Sequence, residues 1–153
     1  MPWQRALETF LRLVEGRPIA WWLVGSAALS VRGLDVAPGD LDLVVDDASA
    51  RPLGDALLDY LIEPVVPVHG WVCNWFGRSF PGACLEWVGG VDGRADTPQV
   101  SDFGPAAVRR AERVLWHGYR VPIPPLDLQL AVNERRGRHE RAALIRRART
   151  GPL

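Results

Sequence analysis

The side chains with chemical potential lie in residues 21–47, WWLVGSAALSVRGLDVAPGDLDLVVDD. Gly25-Ser26 falls where a short apolar run gives way to a helix-like stretch, and thirteen residues later Asp40-Leu41-Asp42-Leu43 opens a second apolar run. The first N–H groups of a helix lack partners and carry the positive end of its dipole, so such a turn suits phosphate. Glycine at 25 lets the backbone approach a ligand closely, and the Ser26 hydroxyl can cap the helix or bond a phosphate oxygen. Residues two apart on a strand share a face, so Asp40 and Asp42 project side by side. Neighbouring carboxylates repel unless a cation lies between them, and hard oxygen ligands select Mg²⁺ or Mn²⁺. A phosphate cradle beside paired carboxylates is equipment for metal-assisted phosphoryl or nucleotidyl transfer.

Other chemistries are excluded or unsupported. All eighteen basic residues are arginine, so neither a Schiff base nor a phosphate-binding lysine is available. Cys73 and Cys84 form no C-x-x-C pair, and His69, His117 and His139 show no zinc spacing. No G-x-S-x-G nucleophile turn occurs. Eighteen acids balance the eighteen arginines, which argues against binding nucleic acid through bulk charge. The 153 residues make one ordinary domain with a small appendage, and 48% apolar content suits a soluble protein. No apolar run approaches the roughly 20 residues of a membrane span, and MPWQRALETF lacks the pattern of a signal peptide. A cytoplasmic protein that does not engage a membrane is expected.

The elements that must position these residues follow from periodicity. Trp3, Leu7, Phe10, Leu11 and Val14 mark an amphipathic helix over 3–15, stopped by Gly16 and Pro18. IAWWLV (19–24) reads as a buried strand, 25–33 as a short helix ended by Gly33, and LDLVV (41–45) as the next strand. Asp46 and Asp47 offer caps for a helix over about 50–62, with Leu53, Leu57, Leu58 and Leu61 inward. GWVCNWF (70–76) and ACLEWVGG (83–90) read as antiparallel strands around a GRSFPG loop. Residues 89–105 read as a long loop, 112–117 and 119–123 as a second strand pair, and the chain from Leu126 as a helical hairpin. The fold class is α/β (α+β): a mixed sheet flanked by helices, with residues 1–125 as the main domain and 126–153 as a C-terminal helical extension.

The paired motifs resemble those of the nucleotidyltransferase superfamily, which includes DNA polymerase beta, poly(A) polymerase and the antibiotic adenylyltransferases. Its signature is Gly-Ser, a short spacer, then a strand with alternating hydrophobic residues and aspartates. Gly25-Ser26 and Asp40-Leu41-Asp42-Leu43 fit it, except that Gly39 stands where a hydrophobic residue is usual. The chain looks closest to small bacterial aminoglycoside and lincosamide nucleotidyltransferase-like proteins and to abortive-infection toxins. VPIPPLDLQLAV (121–132) is similar to the segment that opens their helical part, so the likeness covers most of the chain.

The resemblance implies transfer of a nucleoside monophosphate from a nucleoside triphosphate, ATP by preference, to an acceptor hydroxyl. Gly25 and Ser26 would bind the nucleotide, and Asp40, Asp42 and a third acid would be catalytic and hold Mg²⁺ or Mn²⁺. Glu86, flanked by Leu85 and Trp87, is the best match for that acid, with Asp92 and Asp96 as alternatives. The other reading of Glu86 is an acid paired with an arginine at a strand edge. Asn133 occupies the place of a lysine seen in many relatives, leaving Arg135 or Arg136 to meet the phosphates. The acceptor, whether small molecule, tRNA or protein side chain, stays open, and a homodimer could complete the cleft. The competing function is a non-catalytic nucleotide-binding or toxin–antitoxin-like interaction protein of the same fold.

Overall fold

A computed structural model describes residues 1–151. The expected C-terminal extension runs to residue 153, so its last two residues lie outside the described ones. The elements alternate as α1 (Pro2–Val14), β1 (Trp21–Val24), α2 (Gly25–Val31), β2 (Asp40–Val45), α3 (Ala50–Ala56), β3 (Leu61–Pro67), β4 (Trp75–Ser79), β5 (Cys84–Gly89), α4 (Pro105–Arg109), β6 (Glu112–Trp116), β7 (Tyr119–Ile123), α5 (Leu126–Arg135) and α6 (His139–Thr150).

Five strands form a mixed sheet in the order β1-β2-β5-β4-β3, with β2 and β5 parallel and the other pairs antiparallel. One face is apolar: Leu41 and Leu43 of β2 and Leu85 and Trp87 of β5 are buried against Leu7 and Phe10 of α1 and Leu53 of α3. Trp87 fixes the middle of that core. Its Nε1 donates to the Ala50 carbonyl at 3.2 Å, and its ring occupies the space above Gly77, where a Cβ would stand 2.2 Å from Cζ2. Only glycine fits that position on β4.

The short helix α2 ends as its sequence dictates. Gly33 takes φ +90°, its N–H donates to the Ser30 carbonyl, and the Leu34 N–H reaches back to the Leu29 carbonyl. Leu29 and Leu34 then join Leu130, Ala142 and Ile145 in a second apolar cluster, which ties α5 and α6 to α2. The β6–β7 hairpin turns through His117 and Gly118, both at positive φ, the geometry of a tight primed turn.

The 50–62 helix is shorter than its leucine spacing predicts. It stops at Ala56, Leu58 is 67% exposed, and Leu61 begins β3, a strand the periodicity did not reveal. Glu63, Pro64 and Pro67 give β3 an edge-strand composition, with register shifts against β4. β4 also starts later than expected, at Trp75, so residues 70–74 form a loop rather than a strand. Among the described residues no helix is long and apolar enough to cross a membrane.

Candidate functional site

Strand alternation puts a different set of side chains on the other face of the sheet. The register aligns Val24, Asp42, Glu86, Arg78 and Glu63 across all five strands as one row of mostly charged residues. One step along lies a second row, Trp22, Val44, Val88, Phe76 and Val66, which carries no charge. Asp40 shares the face of Asp42, two residues back on β2. The middle of both rows forms the floor of a cavity of about 310 Å³, walled by Gly25, Trp71, Asp102, Phe103 and Arg136.

The Gly25 turn borders this cavity. Gly25 adopts φ +69°, a backbone conformation that favours glycine, and a Cβ there would stand 3.0 Å from Asp42 Oδ2, a tight approach to the carboxylate beneath it. Gln129 of α5 donates from Nε2 to the Gly25 carbonyl at 3.2 Å and fixes the turn from the far end of the chain. Gln129 is 1% exposed and its Oε1 has no partner among the described residues, as is true of Oδ1 of Asn133 one turn later. Ser26 does not cap α2: the N-cap is Val24, and Ser26 is the second residue of the helix.

Asp42 is the electrostatic focus. Burial, then the charges of Asp40, Glu86 and Asp102, push its pKa up from 3.8 to about 6, against a smaller opposing effect of Arg136. A carboxylate raised in this way is stabilised when a cation arrives. Gly25 leaves space at its Oδ2, and Asp40 and Asp42 supply the hard oxygen atoms a divalent ion prefers. The donor set therefore fits a hard divalent cation at this pair. Among the described residues, however, no three His, Cys, Asp or Glu side chains are close enough together to share one ion as they stand.

Glu86 lies next to Asp42 in register, but its carboxylate is already engaged. Arg78 donates to Glu86 Oε1 from Nε at 2.7 Å, approaches it with Nη2 at 2.6 Å, and reaches Glu63 with Nη1 at 2.7 Å. Of the alternatives, Asp92 pairs with Arg94, and Asp96 accepts from the N–H groups of Ser101 and Ala106, so both organise the 92–106 loop. That loop delivers Asp102, an acid whose position the sequence did not single out. Asp102 is 8% exposed, makes no ion pair within 4.0 Å among the described residues, and burial raises its pKa while Arg136 opposes the rise.

The structure separates the arginines that the sequence left equivalent. Arg136 lines the cavity, whereas Arg135 donates to the Val100 carbonyl at 2.7 Å. Gln129, Asn133 and Arg136 follow an i, i+4, i+7 spacing along α5, which gives this helix a polar stripe amid leucines. That spacing was the available signal for Gln129. Arg32 does not face the site; it pairs with Glu112 at 2.6 Å and donates to the Pro124 carbonyl.

The architecture is that of the nucleotidyltransferases. A protein assigned as a nucleotidyltransferase from Thermotoga maritima superposes with a TM-score of 0.70 at 19% identity, over 94% of this chain and 90% of that one. The crystal structure of ANT(2'')-Ia in complex with adenylyl-2''-tobramycin gives a TM-score of 0.61 at 12% identity, over 95% of this chain and 87% of that one. The solution structure of the same antibiotic-resistance factor gives 0.60 at 11% identity, covering 95% and 83%. At such identities the likeness establishes the fold. No family profile matches the sequence, and no curated protein matches it.

Proposed function

We propose that this protein transfers a nucleoside monophosphate from a nucleoside triphosphate, ATP by preference, to an acceptor hydroxyl, releasing pyrophosphate. The observation that carries the reading is the position of Asp42 directly beneath the Gly25 turn, with a pKa raised to about 6 by burial and by its acidic neighbours. Asp40 and Asp42 would hold the divalent ion, Mg²⁺ or Mn²⁺. When bound, the ion supplies the positive charge that stabilises an in-line displacement at phosphorus.

The chain's own residues have separate tasks. Gly25 keeps the backbone low enough for a phosphate to approach Asp42, and Gln129 holds the turn's carbonyl. The free N–H groups at the start of α2, together with the Ser26 hydroxyl, meet the leaving phosphates. Arg136, the cation on the cavity wall, stands in for the lysine this chain lacks. Glu86 can serve as the third acid and accept the acceptor proton once Arg78 swings away; Arg78 has the room, its side chain being 34% exposed.

The adenylyl-2''-tobramycin held by ANT(2'')-Ia is the precedent for a small-molecule acceptor on this fold. The Arg78 clamp on Glu86 favours the second reading, a protein of the same fold that binds nucleotide without transferring it. Calorimetry with ATP, with and without Mg²⁺, tests the shared core of both. The wild type should bind ATP only with the metal, and Asp42→Asn should lose that dependence. An Asp42→Asn protein that binds Mg²⁺–ATP as tightly as the wild type would overturn the assignment.

A further inference from the structure

The two rows on the open face divide the cavity into parts of different chemistry. Val24 pairs with Asp42 in antiparallel register, so Gly25 continues past the charged row on the side of Asp40. The uncharged row, Val44, Val88 and Phe76, lies on the opposite side of Asp42. An in-line displacement sets the incoming group opposite the leaving one. With the phosphates at the Gly25 turn, the uncharged row is the surface left for the second reactant.

That surface has an aromatic wall held in place. Trp71 is 50% exposed, unusually open for a tryptophan, yet its loop is pinned. Arg94 donates to the Trp71 carbonyl at 2.7 Å while its other donors grip Asp92, and the Asp92 N–H bonds the Val72 carbonyl at 2.9 Å. Phe76 lines the same cavity as Trp71, and the guanidinium of Arg78 lies over its ring at 5.5 Å.

The wall itself carries no charge: Val44, Val88, Phe76 and Trp71 are all uncharged. Beside it Arg78 pairs with both Glu86 and Glu63. The strip itself offers a polycation no acid to pair with.

We infer that the acceptor site takes a neutral hydroxyl compound built on a flat apolar ring, which lies on the Val44–Val88–Phe76 strip and stacks on Trp71. The inference rests on the nucleotidyl-transfer reading for the word acceptor, but the ring-binding wall can be tested separately. Apolar contact and stacking give the affinity, and the hydroxyl is left pointing toward the charged row.

The test is calorimetry of the full chain, preloaded with Mg²⁺ and a non-hydrolysable ATP analogue, against two probes: 2-naphthol, flat and neutral, and kanamycin, a polycationic amino sugar. 2-Naphthol should bind more tightly than kanamycin. Trp71→Ala should weaken 2-naphthol about tenfold, far more than it weakens the nucleotide. Phe76→Leu, which keeps the apolar volume, should give a smaller loss in the same direction. Tighter kanamycin binding would overturn the inference, as would failure of 2-naphthol to bind a protein that still takes up Mg²⁺–nucleotide. A Trp71→Ala defect confined to the nucleotide would also overturn it, assigning the wall to the nucleobase. Loss of metal-dependent nucleotide binding alongside Trp71-dependent naphthol binding would refute the proposed reaction and leave the ring site standing.

Discussion

The two faces of the sheet are built from alternate residues of the same strands, yet they differ in what they need. On the inner face Leu41, Leu43, Leu85 and Trp87 find complete partners within the chain, and even the indole N–H is satisfied. On the outer face Asp40, Asp42 and Glu86 crowd like charges together, and Asp102 adds a fourth acid from a loop. The inner face is finished by folding. The outer face is left in electrostatic tension that a bound cation would relieve, the pattern of sites that trade stability for binding.

The sharpest way to break this contrast is to exchange the consequences of substitution. Trp87→Ala empties the inner face and should cost about 3–5 kcal/mol of folding free energy, read from urea denaturation. Asp42→Asn on the outer face should do the reverse and raise the stability of the free protein, by removing repulsion. Destabilisation by Asp42→Asn would show that the carboxylate is structural.

A smaller effect follows from pH. The folded-state pKa of Asp42 lies above its ordinary value, so its contribution to stability is complete below about pH 4 and is lost as pH rises through about 6. Urea midpoints of the wild type should therefore fall relative to those of Asp42→Asn between these limits. Mg²⁺ added at pH 7 should close the gap. Parallel curves for the two proteins would mean that the outer face carries no such tension.

The smallest effect concerns the boundary between engaged and free acids. Arg78→Met releases Glu86 while keeping the length of the side chain. Mg²⁺ affinity, followed by calorimetry, should tighten severalfold as Glu86 becomes available. Unchanged affinity would confine the ion to Asp40 and Asp42.

Much of the inner face was legible because its signals are local. Leucines at helical spacing in α1, the apolar runs of β1 and β2, and the glycines after α1 and α2 each dictate their own geometry. The 50–62 region failed for a related reason. Leu57, Leu58 and Leu61 satisfy a helical period, but edge pairing with β4 claims Leu61 for a strand, and periodicity carries no information about that partner. The outer face was legible only where the motif itself was local. Gly25, Asp40 and Asp42 lie within one short stretch. Arg78, Asp102 and Gln129 reach the site through sheet register, a loop organised by Asp96 and a helix from the other end of the chain. The polar stripe of α5 hints at Gln129, but no spacing in the sequence announces which turn it meets, or the arrival of Arg78 and Asp102.

The bond from Gln129 to the Gly25 carbonyl spans 104 residues. Contacts this distant in sequence require the intervening chain to be gathered first, and they tend to form late. During synthesis from the N-terminus, α2 and β2 emerge well before α5 exists. The turn proposed to hold phosphate is thus locked by a segment made about a hundred residues after it. A nascent chain can have its sheet in place and still lack the finished turn, so completion of the proposed site waits for α5 rather than coming gradually with folding.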